Sequence, residues 1–263
     1  VWRMTEMELS IKIIIATHKP YGMPKDEVYL PVQVGSVEKS SIGYQRDDEG
    51  ENISGLNPYF CELTGLYWAW KNRSEDYSGM VQYRRLFEIE GRILTKEHLK
   101  PYLGKIKVFT PGKRRYYIET LKSHYSHTHY PEHLGIVEDV LIEKYSEYEE
   151  AYQKAVNRTW GYMFNMMIME RNLLSDYCIW VFDILFEVFH RIDTTNYSEF
   201  AKRYIGRISE ILFNVWIEQQ LKTERIINNE IMELKCHVEE DWKVKVPAFL
   251  KAKFFGKKYA RSF

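Results

Sequence analysis

The sequence has little of several features that define large classes of protein. It contains neither a G-x-G-x-x-G pattern nor a Walker pattern, which argues against a dinucleotide-binding enzyme or a P-loop kinase. Its three cysteines, Cys61, Cys178 and Cys236, are odd in number and widely spaced, and so favour reduced thiols in a cytoplasmic protein over a disulfide framework. The most apolar early run, Ile11 to Ala16, is far shorter than the roughly 20 residues that cross a bilayer. The sequence therefore predicts neither a membrane span nor a signal peptide.

The chain also lacks net charge, because 37 basic residues balance 37 acidic ones. The balance is uneven: seven basic residues and no acidic residue fall in positions 243 to 263, which leaves 30 basic against 37 acidic residues before them. Positions 241 to 263 form a basic aromatic tail, in which lysines are interleaved with Phe, Leu and Trp. This composition is typical of a segment on an anionic membrane surface. A disordered solubilising tail is the alternative, whereas the acidic body argues against nucleic-acid binding.

The residues that are present indicate a folded α/β protein. A hydrophobic content of 45% and an aromatic content of 15% are typical of globular domains. A β-branched strand at Ile11 to Ala16 runs into the polar turn Thr17-His18-Lys19, a pattern common in nucleotide-binding folds, where ligands lie beyond the carboxyl ends of strands. Further strands are predicted at 79–87, 105–110 and 163–169, and helices at 58–72, 133–145, 148–157, 173–192 and 199–221, with Asn57 as a cap before Pro58. The second half is therefore expected to be mainly helical.

Four of the eight histidines fall within ten residues, at His124, His127, His129 and His133. Imidazoles at such spacings could ligate zinc, but no cysteine or H-E-x-x-H pattern accompanies them. We favour a loop that hydrogen-bonds phosphate or sugar hydroxyls. A solvated loop without a role is the third interpretation.

Two adjacent guanidiniums, Arg84 and Arg85, follow a predicted strand and could clamp phosphate oxygens, although a surface arginine pair is the plain alternative. Glu210 interrupts an apolar helix, where burial would raise its pKa and suit it as a general base. A structural role for Glu210 is equally consistent with the sequence.

A third set combines aromatic faces with polar donors, which suits either sugar stacking or core packing: Glu62, Tyr67, Trp68, Trp70, Lys71 and Asn72.

The order of these segments resembles a known family. The matching segments run in one register over roughly residues 10 to 220: Ile13-Ile14-Ile15-Ala16-Thr17-His18-Lys19, Tyr29-Leu30-Pro31-Val32-Gln33-Val34-Gly35, Asp47-Asp48-x-Gly50-x-Asn52-Ile53-Ser54, Cys61-Glu62-Leu63-Thr64-x-Leu66-Tyr67-Trp68-Ala69-Trp70-Lys71-Asn72, Gly79-x-x-x-Tyr83-Arg84-Arg85-x-Phe87, the histidine segment with Glu138-Asp139, Asn165-Met166-x-Ile168-Met169, Tyr177-Cys178-x-Trp180-x-Phe182-Asp183-Ile184-Leu185 and Gly206-x-x-Ser209-Glu210. Together they resemble the bacterial capsular or exopolysaccharide biosynthesis glycosyltransferases, long catalogued as a domain of unknown function.

The resemblance implies a GT-A-like fold with a mixed central sheet flanked by helices and a mainly helical C-terminal half. It implies a single domain over residues 8–240, with a nucleotide-binding part at about 10–115 and a donor and acceptor part at about 116–240. The implied reaction moves a hexose, with UDP-galactose in pyranose or furanose form as the donor, onto a polyprenyl-linked glycan in capsular, exopolysaccharide or O-antigen synthesis. The implied location is cytoplasmic, peripheral at the inner face of the plasma membrane, with residues 243–263 on the anionic surface and no nucleic-acid partner.

The resemblance also implies site residues. The catalytic set is Glu210, Arg84 and Arg85. The residues expected to bind the donor or nucleotide are Thr17, His18, Lys19, Asp48, Asn52, Tyr67, Lys71, Asn72, Tyr83, His127, His129 and Asn165. The family commonly has His where this chain has Gln82, so a role for that imidazole does not carry over.

No metal ligand is predicted. GT-A enzymes usually hold manganese or magnesium with an Asp-x-Asp motif, which is absent near residues 76 to 87, so no cofactor is firmly expected. Two other classes stay open: a metal-dependent hydrolase that uses the segment His124 to His133, and a non-catalytic glycan-binding assembly subunit.

Overall fold

The structure is a computed structural model that describes residues 8–238. Its strands are β1 (Ile11–Thr17), β2 (Tyr29–Gln33), β3 (Gln45–Arg46), β4 (Tyr77–Gln82), β5 (Arg85–Ile89), β6 (Arg92–Ile93), β7 (Val108–Pro111), β8 (Arg114–Arg115), β9 (Trp160–Gly161), β10 (Met167–Glu170) and β11 (Ile231–Val238). Its helices are α1 (Asn57–Phe60), α2 (Leu63–Asn72), α3 (Lys96–Leu99), α4 (Leu121–Thr128), α5 (Glu132–Lys144), α6 (Glu149–Asn157), α7 (Arg171–Arg191) and α8 (Tyr204–Lys222).

Nine strands of the described part of the chain form one mixed sheet in the order β3-β2-β1-β4-β10-β7-β11-β5-β6. The first four in this order are mutually parallel, whereas β10 is antiparallel to both β4 and β7. The last long strand, β11, inserts between β7 and β5. β8 and β9 form a separate two-stranded ribbon. The predicted mixed sheet is therefore confirmed.

The sheet has a hydrophobic core on each face, because side chains alternate along its buried strands. Ile14 and Met80 point toward a large core that includes helices α2, α5, α6, α7 and α8. Ile13, Ile15 and Val81 point toward a smaller core on the other face of the sheet. This core also contains Leu99 of α3 and part of strand β5. Burial of β1 on both faces at every position except Lys12 explains its β-branched run Ile13-Ile14-Ile15. The helical C-terminal half is confirmed as well.

Two predicted elements are interrupted. The helix expected over 58–72 is two helices, because Cys61 between them takes a positive φ of 52°. Asn57 lies inside α1 instead of capping it, and its amide donates hydrogen bonds to the Cys61 carbonyl and the Thr64 hydroxyl. The strand expected over 163–169 begins only at Met167, since Phe164 and Asn165 also have positive φ angles, of 76° and 53°.

Two further expectations are corrected. The strand predicted over 79–87 is a hairpin, in which β4 and β5 are joined by a turn at Tyr83 and Arg84. The histidine segment is not a single loop: His124 and His127 lie in α4, whose start is fixed by reciprocal hydrogen bonds between Thr120 and Ser123, and His133 lies in α5. The basic tail lies outside the described residues, and the single-domain boundary at 8–240 stays a prediction.

Candidate active site

A cleft of about 700 Å³ opens at the carboxyl ends of β1 and β4. The end of β1, the β4–β5 hairpin, the break between α1 and α2, helix α4 and the start of α8 all contribute to its wall. Its polar lining includes Thr17, His18, Glu62, Gln82, Tyr83, Arg84, Arg85, Arg114, Tyr116, His124, His129, Glu199, Arg203, Arg207 and Glu210. This is the edge where parallel strands of an α/β sheet present ligand-binding groups.

Arginines dominate the charge of the cleft, with five of them against three glutamates. Phe164 organises two of them: the guanidinium carbon of Arg85 lies 4.6 Å from the centroid of its ring, and that of Arg114 lies 5.5 Å from it. Arg85 also donates to the Gln82 side-chain oxygen at 2.9 Å. These contacts hold guanidiniums in place beside the cleft, and such an arrangement suits an anionic ligand with several oxygens.

Glu210 is the most buried carboxylate of the cleft, at 6% exposure. Burial raises its pKa, and the opposing charge of Arg207, whose Nη1 lies 3.4 Å from Glu210 Oε1, only partly offsets that effect. Both residues lie on α8, one turn apart. A carboxylate with a raised pKa next to a cleft is suited to accept a proton from a bound hydroxyl.

Glu62 is another carboxylate of the cleft lining. Its Oε1 accepts hydrogen bonds of 3.0 Å from the amides of Gln82 and Asn165. Asn165 is only 2% exposed, donates to the Gly206 carbonyl at 2.9 Å and accepts from the Ser209 hydroxyl at 2.6 Å. Asn165 thus lies beneath the cleft and ties Glu62 to α8, which gives the Gly206-x-x-Ser209 pattern a structural reason.

The end of β1 supplies a polar and aromatic corner. The Thr17 hydroxyl donates to the Lys19 carbonyl at 2.7 Å and fixes the turn. The ring of His18 meets that of Tyr83 edge-on at 5.4 Å, and the Lys19 amine lies 5.5 Å from the centroid of the same Tyr83 ring. Partial burial, together with nearby Lys19, lowers the pKa of His18. Thr17, His18 and Tyr83 line the cleft, whereas Lys19 contacts the Tyr83 ring and is not among the lining residues.

The histidines are distributed over different environments. His124 Nδ1 and His127 Nδ1 each donate to the buried carboxylate of Glu119, at 2.8 and 2.6 Å. Burial lowers the pKa of His124 to about 4, so its imidazole is neutral at physiological pH. His129 lines the cleft, whereas His133 is buried between the hydroxyls of Tyr125 and Tyr197.

The donor set does not fit a metal ion. Within residues 8–238, no three His, Cys, Asp or Glu side chains form a group that could hold one. His127 faces Glu119 and does not line the cleft, although it was predicted to contact the donor. We therefore derive no step through a metal.

Besides Lys19, His127 and Asn165, five more predicted donor-binding residues lie outside the cleft lining: Asp48, Asn52, Tyr67, Lys71 and Asn72. They stabilise the loop before α1 and its contact with α2. Glu51 receives hydrogen bonds from the Tyr67 hydroxyl at 3.2 Å and the Lys71 amine at 2.9 Å. The Asn72 amide donates to the Glu51 carbonyl, the Asn52 amide to the Gly50 carbonyl, and Asp48 pairs with Arg46 at 2.6 Å.

The neighbouring Asp47 is also structural, because it is fully buried. Its carboxylate accepts hydrogen bonds from the hydroxyls of Ser36, Ser54 and Thr64. Two backbone amides, those of Gly35 and Ser36, complete its partners. The Asp47-Asp48 pair thus stabilises the fold at the start of the helical layer.

Sequence reasoning missed Arg114, Arg203 and Arg207 as cleft residues and placed Glu62 only in an aromatic set. Within the histidine segment it chose His127 and His129 as donor-binding residues, whereas His124 and His129 line the cleft. A usable signal existed at the start of α8, where Arg203 at the N-cap and Arg207 and Glu210 in the helix are spaced by four and three residues and so fall on one side of the helix. Arg114 carried no such signal, since it reaches the cleft only because β8 pairs with β9. Its partner in that pairing, Gly161, lies 47 residues later in the sequence.

Comparison with known proteins gives the family. Residues 12–221 match the model of the domain of unknown function DUF4422, and the chain belongs to this family. Among solved structures, the chain is similar to the apo structure of the bifunctional glycosyltransferase WbbM, with 29% sequence identity and a TM-score of 0.80. The match covers 88% of this chain and 46% of the WbbM chain, so this chain spans about half the length of that protein. No curated protein matches the chain.

These comparisons agree with the fold predicted from the sequence, a mixed sheet in a glycosyltransferase-like architecture. They also agree with the predicted family in its broader part, the domain of unknown function. No helix within residues 8–238 is long and apolar enough to cross a membrane.

Proposed function

We propose that the chain is a glycosyltransferase that moves a hexose from a nucleotide sugar to a polyprenyl-linked glycan. The donor we propose is UDP-galactose, in pyranose or furanose form, and the pathway is capsular, exopolysaccharide or O-antigen synthesis. One observation carries the proposal: an arginine-rich cleft with a buried glutamate lies at the ligand-binding edge of a fold shared with a glycosyltransferase.

The arginines would bind the diphosphate of the donor. When the bond between the anomeric carbon and the diphosphate breaks, the electron pair goes to the departing phosphate oxygen, and its negative charge must be stabilised. Arg85 and Arg114, held against Phe164, offer fixed positive charges for this purpose, with Arg84 beside them on the hairpin. Fixed donors stabilise the developing charge without reorganisation during the reaction.

Glu210 would act as the general base. The acceptor hydroxyl oxygen forms the new bond to the anomeric carbon, and its proton passes to the Glu210 carboxylate. The raised pKa of Glu210 matches this task, because a stronger base takes the proton more readily, provided it is ionised at the working pH. Glu62, held by Gln82 and Asn165, is placed to bind a sugar hydroxyl.

Turnover of the donor tests the proposal. Purified protein is incubated with UDP-hexoses and a lipid-linked glycan extract, and release of UDP is measured. We expect Glu210→Gln to lower the rate about a hundredfold or more, which is the usual contribution of a general base. Glu187→Gln, which changes a carboxylate on the surface of α7 paired with Arg191, serves as the control and keeps full activity. Equal activity of both variants would exclude Glu210 as the base.

The same assay separates the two other classes. A glycan-binding assembly subunit would bind sugar but release no UDP. A metal-dependent hydrolase would hold stoichiometric zinc and lose activity in His127→Ala or His129→Ala. The contacts of His127 and His124 with Glu119 favour a structural role for part of the histidine segment and weaken the hydrolase hypothesis.

We further propose a peripheral position at the cytoplasmic face of the plasma membrane, with residues 243–263 on anionic lipid. The seven basic residues of the tail support this, since each basic residue near such a surface contributes about 1 kcal/mol. Removal of residues 243–263 should lower recovery of the protein with anionic vesicles in a flotation assay. Equal recovery with and without the tail would contradict this part of the proposal.

A further inference from the structure

Two consecutive apolar side chains project into solvent between β8 and α4. Tyr117 is 82% exposed and Ile118 is 70% exposed. Elsewhere in residues 8–236, the large hydrophobic side chains on the surface are between 37% and 54% exposed. A pair this exposed points to an interaction surface, because scattered single apolar residues are normal on soluble domains but adjacent protruding ones are not.

The backbone holds these two side chains outward. The Tyr116 amide donates to the Thr159 carbonyl at 2.8 Å, and the Thr120 cap fixes the start of α4 just after the pair. Tyr117 itself has a positive φ of 58°, a conformation that bulky residues rarely adopt. A strained conformation that keeps a large aromatic side chain in water calls for a function that uses its exposure.

The exposed charged residues that flank Tyr117 and Ile118 in the sequence are basic. Arg115 precedes it and Lys122 follows it, and both are exposed. The acidic residue of this stretch, Glu119, is only 3% exposed and receives hydrogen bonds from His124 and His127, so it contributes little negative charge to the surface. Basic residues beside exposed Tyr and Ile are the composition of a surface that binds anionic lipid.

The segment also borders the cleft. Tyr116 on one side of the pair and Leu121 on the other side both line it. We infer that residues 115–118, together with Lys122, dock on an anionic lipid bilayer and hold the mouth of the cleft against it. Tyr117 and Ile118 enter the interfacial layer, where Tyr is favoured because its ring is apolar and its hydroxyl stays hydrated. Arg115 and Lys122 contact the lipid phosphates.

This inference is independent of the basic tail and of the reaction proposed above. It concerns a surface within the described residues, and it would hold for any reaction in the cleft whose substrate is embedded in a membrane. Failure of the vesicle experiment below would leave glycosyl transfer unaffected, whereas failure of the turnover assay would leave the docking surface unaffected.

A lipid titration of the full chain tests the inference. The partition coefficient is measured by sedimentation with vesicles of phosphatidylcholine and phosphatidylglycerol in equal parts. Tyr117→Asn with Ile118→Ser should lower it about tenfold or more, the loss expected when two large apolar side chains no longer enter the interface. Asn is chosen because it tolerates a positive φ. Arg115→Gln should lower it about fivefold, as expected for one basic residue.

The matched control replaces two apolar residues elsewhere on the surface, Ile142→Ser with Ile179→Ser, which are 46% and 54% exposed. It should partition as the unchanged protein does. A second measurement needs no substitution: hydrogen exchange at residues 115–118 should slow when anionic vesicles are added, while exchange at residues 92–93 should not change.

Equal partitioning of the Tyr117 and Ile118 double variant and the unchanged protein would overturn the inference. So would unchanged exchange at residues 115–118 in the presence of vesicles. Slowed exchange there on addition of a protein partner, without an effect of vesicles, would reassign the surface to that partner and would also overturn lipid docking.

Discussion

Glu210 is a buried carboxyl group that must carry charge to act as a base. Its carboxyl group is almost fully buried, and its pKa is raised in the folded state by that burial, with Arg207 as the nearest opposing charge. The cleft therefore holds a base at a position where its charged form is disfavoured. Functional sites often tolerate such a cost because the chemistry requires it.

The raised pKa predicts how stability depends on pH. Below the ordinary glutamate value near 4.5, Glu210 is protonated in both the folded and the unfolded chain, and its burial costs little. As pH rises through the raised folded pKa, the unfolded state loses its proton more readily, and stability falls. Glu210→Gln removes this dependence. The melting temperature of the variant should exceed that of the unchanged protein at pH 8, and the difference should shrink toward pH 4.5.

Thermal unfolding of both proteins across this pH range provides the measurement. Glu187→Gln is again the control, since its side chain is on the surface, and it should show no such pH-dependent gain. A Glu210→Gln variant that is less stable at pH 8 than the unchanged protein would show that the carboxylate is stabilising and would contradict the account of its burial.

At the scale of elements, the cleft depends on the junction of parallel and antiparallel strands at β4 and β10. Gly79 of β4 faces Ile168 of β10 in this pairing. A Cβ atom at Gly79 would lie 2.3 Å from the Met167 carbonyl oxygen and 2.7 Å from the Ile168 Cα, both of them backbone atoms that cannot move aside. Only glycine allows the two strands to approach so closely, and the hairpin with Arg84 and Arg85 follows directly from β4.

Gly79→Ala should therefore destabilise the fold by about 2 kcal/mol or more, as expected for overpacking against backbone. Gly135→Ala in α5 is the matched substitution, because a Cβ there meets nothing within 4 Å. That change should stabilise the protein by about 1 kcal/mol through helix propensity. Urea unfolding of the two variants measures both effects. Two shifts of the same sign would contradict the packing described for β4 and β10.

The elements also show how far the sequence alone leads. β1 and α7 were predicted within two residues, because a β-branched run and a long apolar helical period are local signals. The sequence did not predict the break at Cys61 or the turn at Phe164 and Asn165. Positive φ angles in non-glycine residues are imposed by tertiary contacts, such as the hydrogen bonds from Asn165 to Glu62 and Gly206. The insertion of β11 beside β7 is likewise a pairing between distant parts of the chain.

At the scale of the whole molecule, charge is separated in two ways. Along the sequence, an acidic body precedes a basic tail. Within residues 8–238, the arginines that were scattered through the sequence at Arg84, Arg114, Arg203 and Arg207 converge on one cleft. The candidate site could be predicted only in part, because Thr17, His18 and the Arg84-Arg85 pair follow strands, whereas the other arginines arrive through tertiary structure.

The central claim is that these converging arginines bind the diphosphate of a nucleotide sugar. Calorimetric titration of the full chain with UDP tests it most directly. We predict that the unchanged protein binds UDP and that Arg114→Gln weakens binding about tenfold or more, the cost of losing a hydrogen bond to a charged group. Arg92→Gln, whose arginine side chain is 72% exposed on β6, should bind UDP as the unchanged protein does. Absence of UDP binding, or an equal loss in Arg92→Gln, would contradict the account.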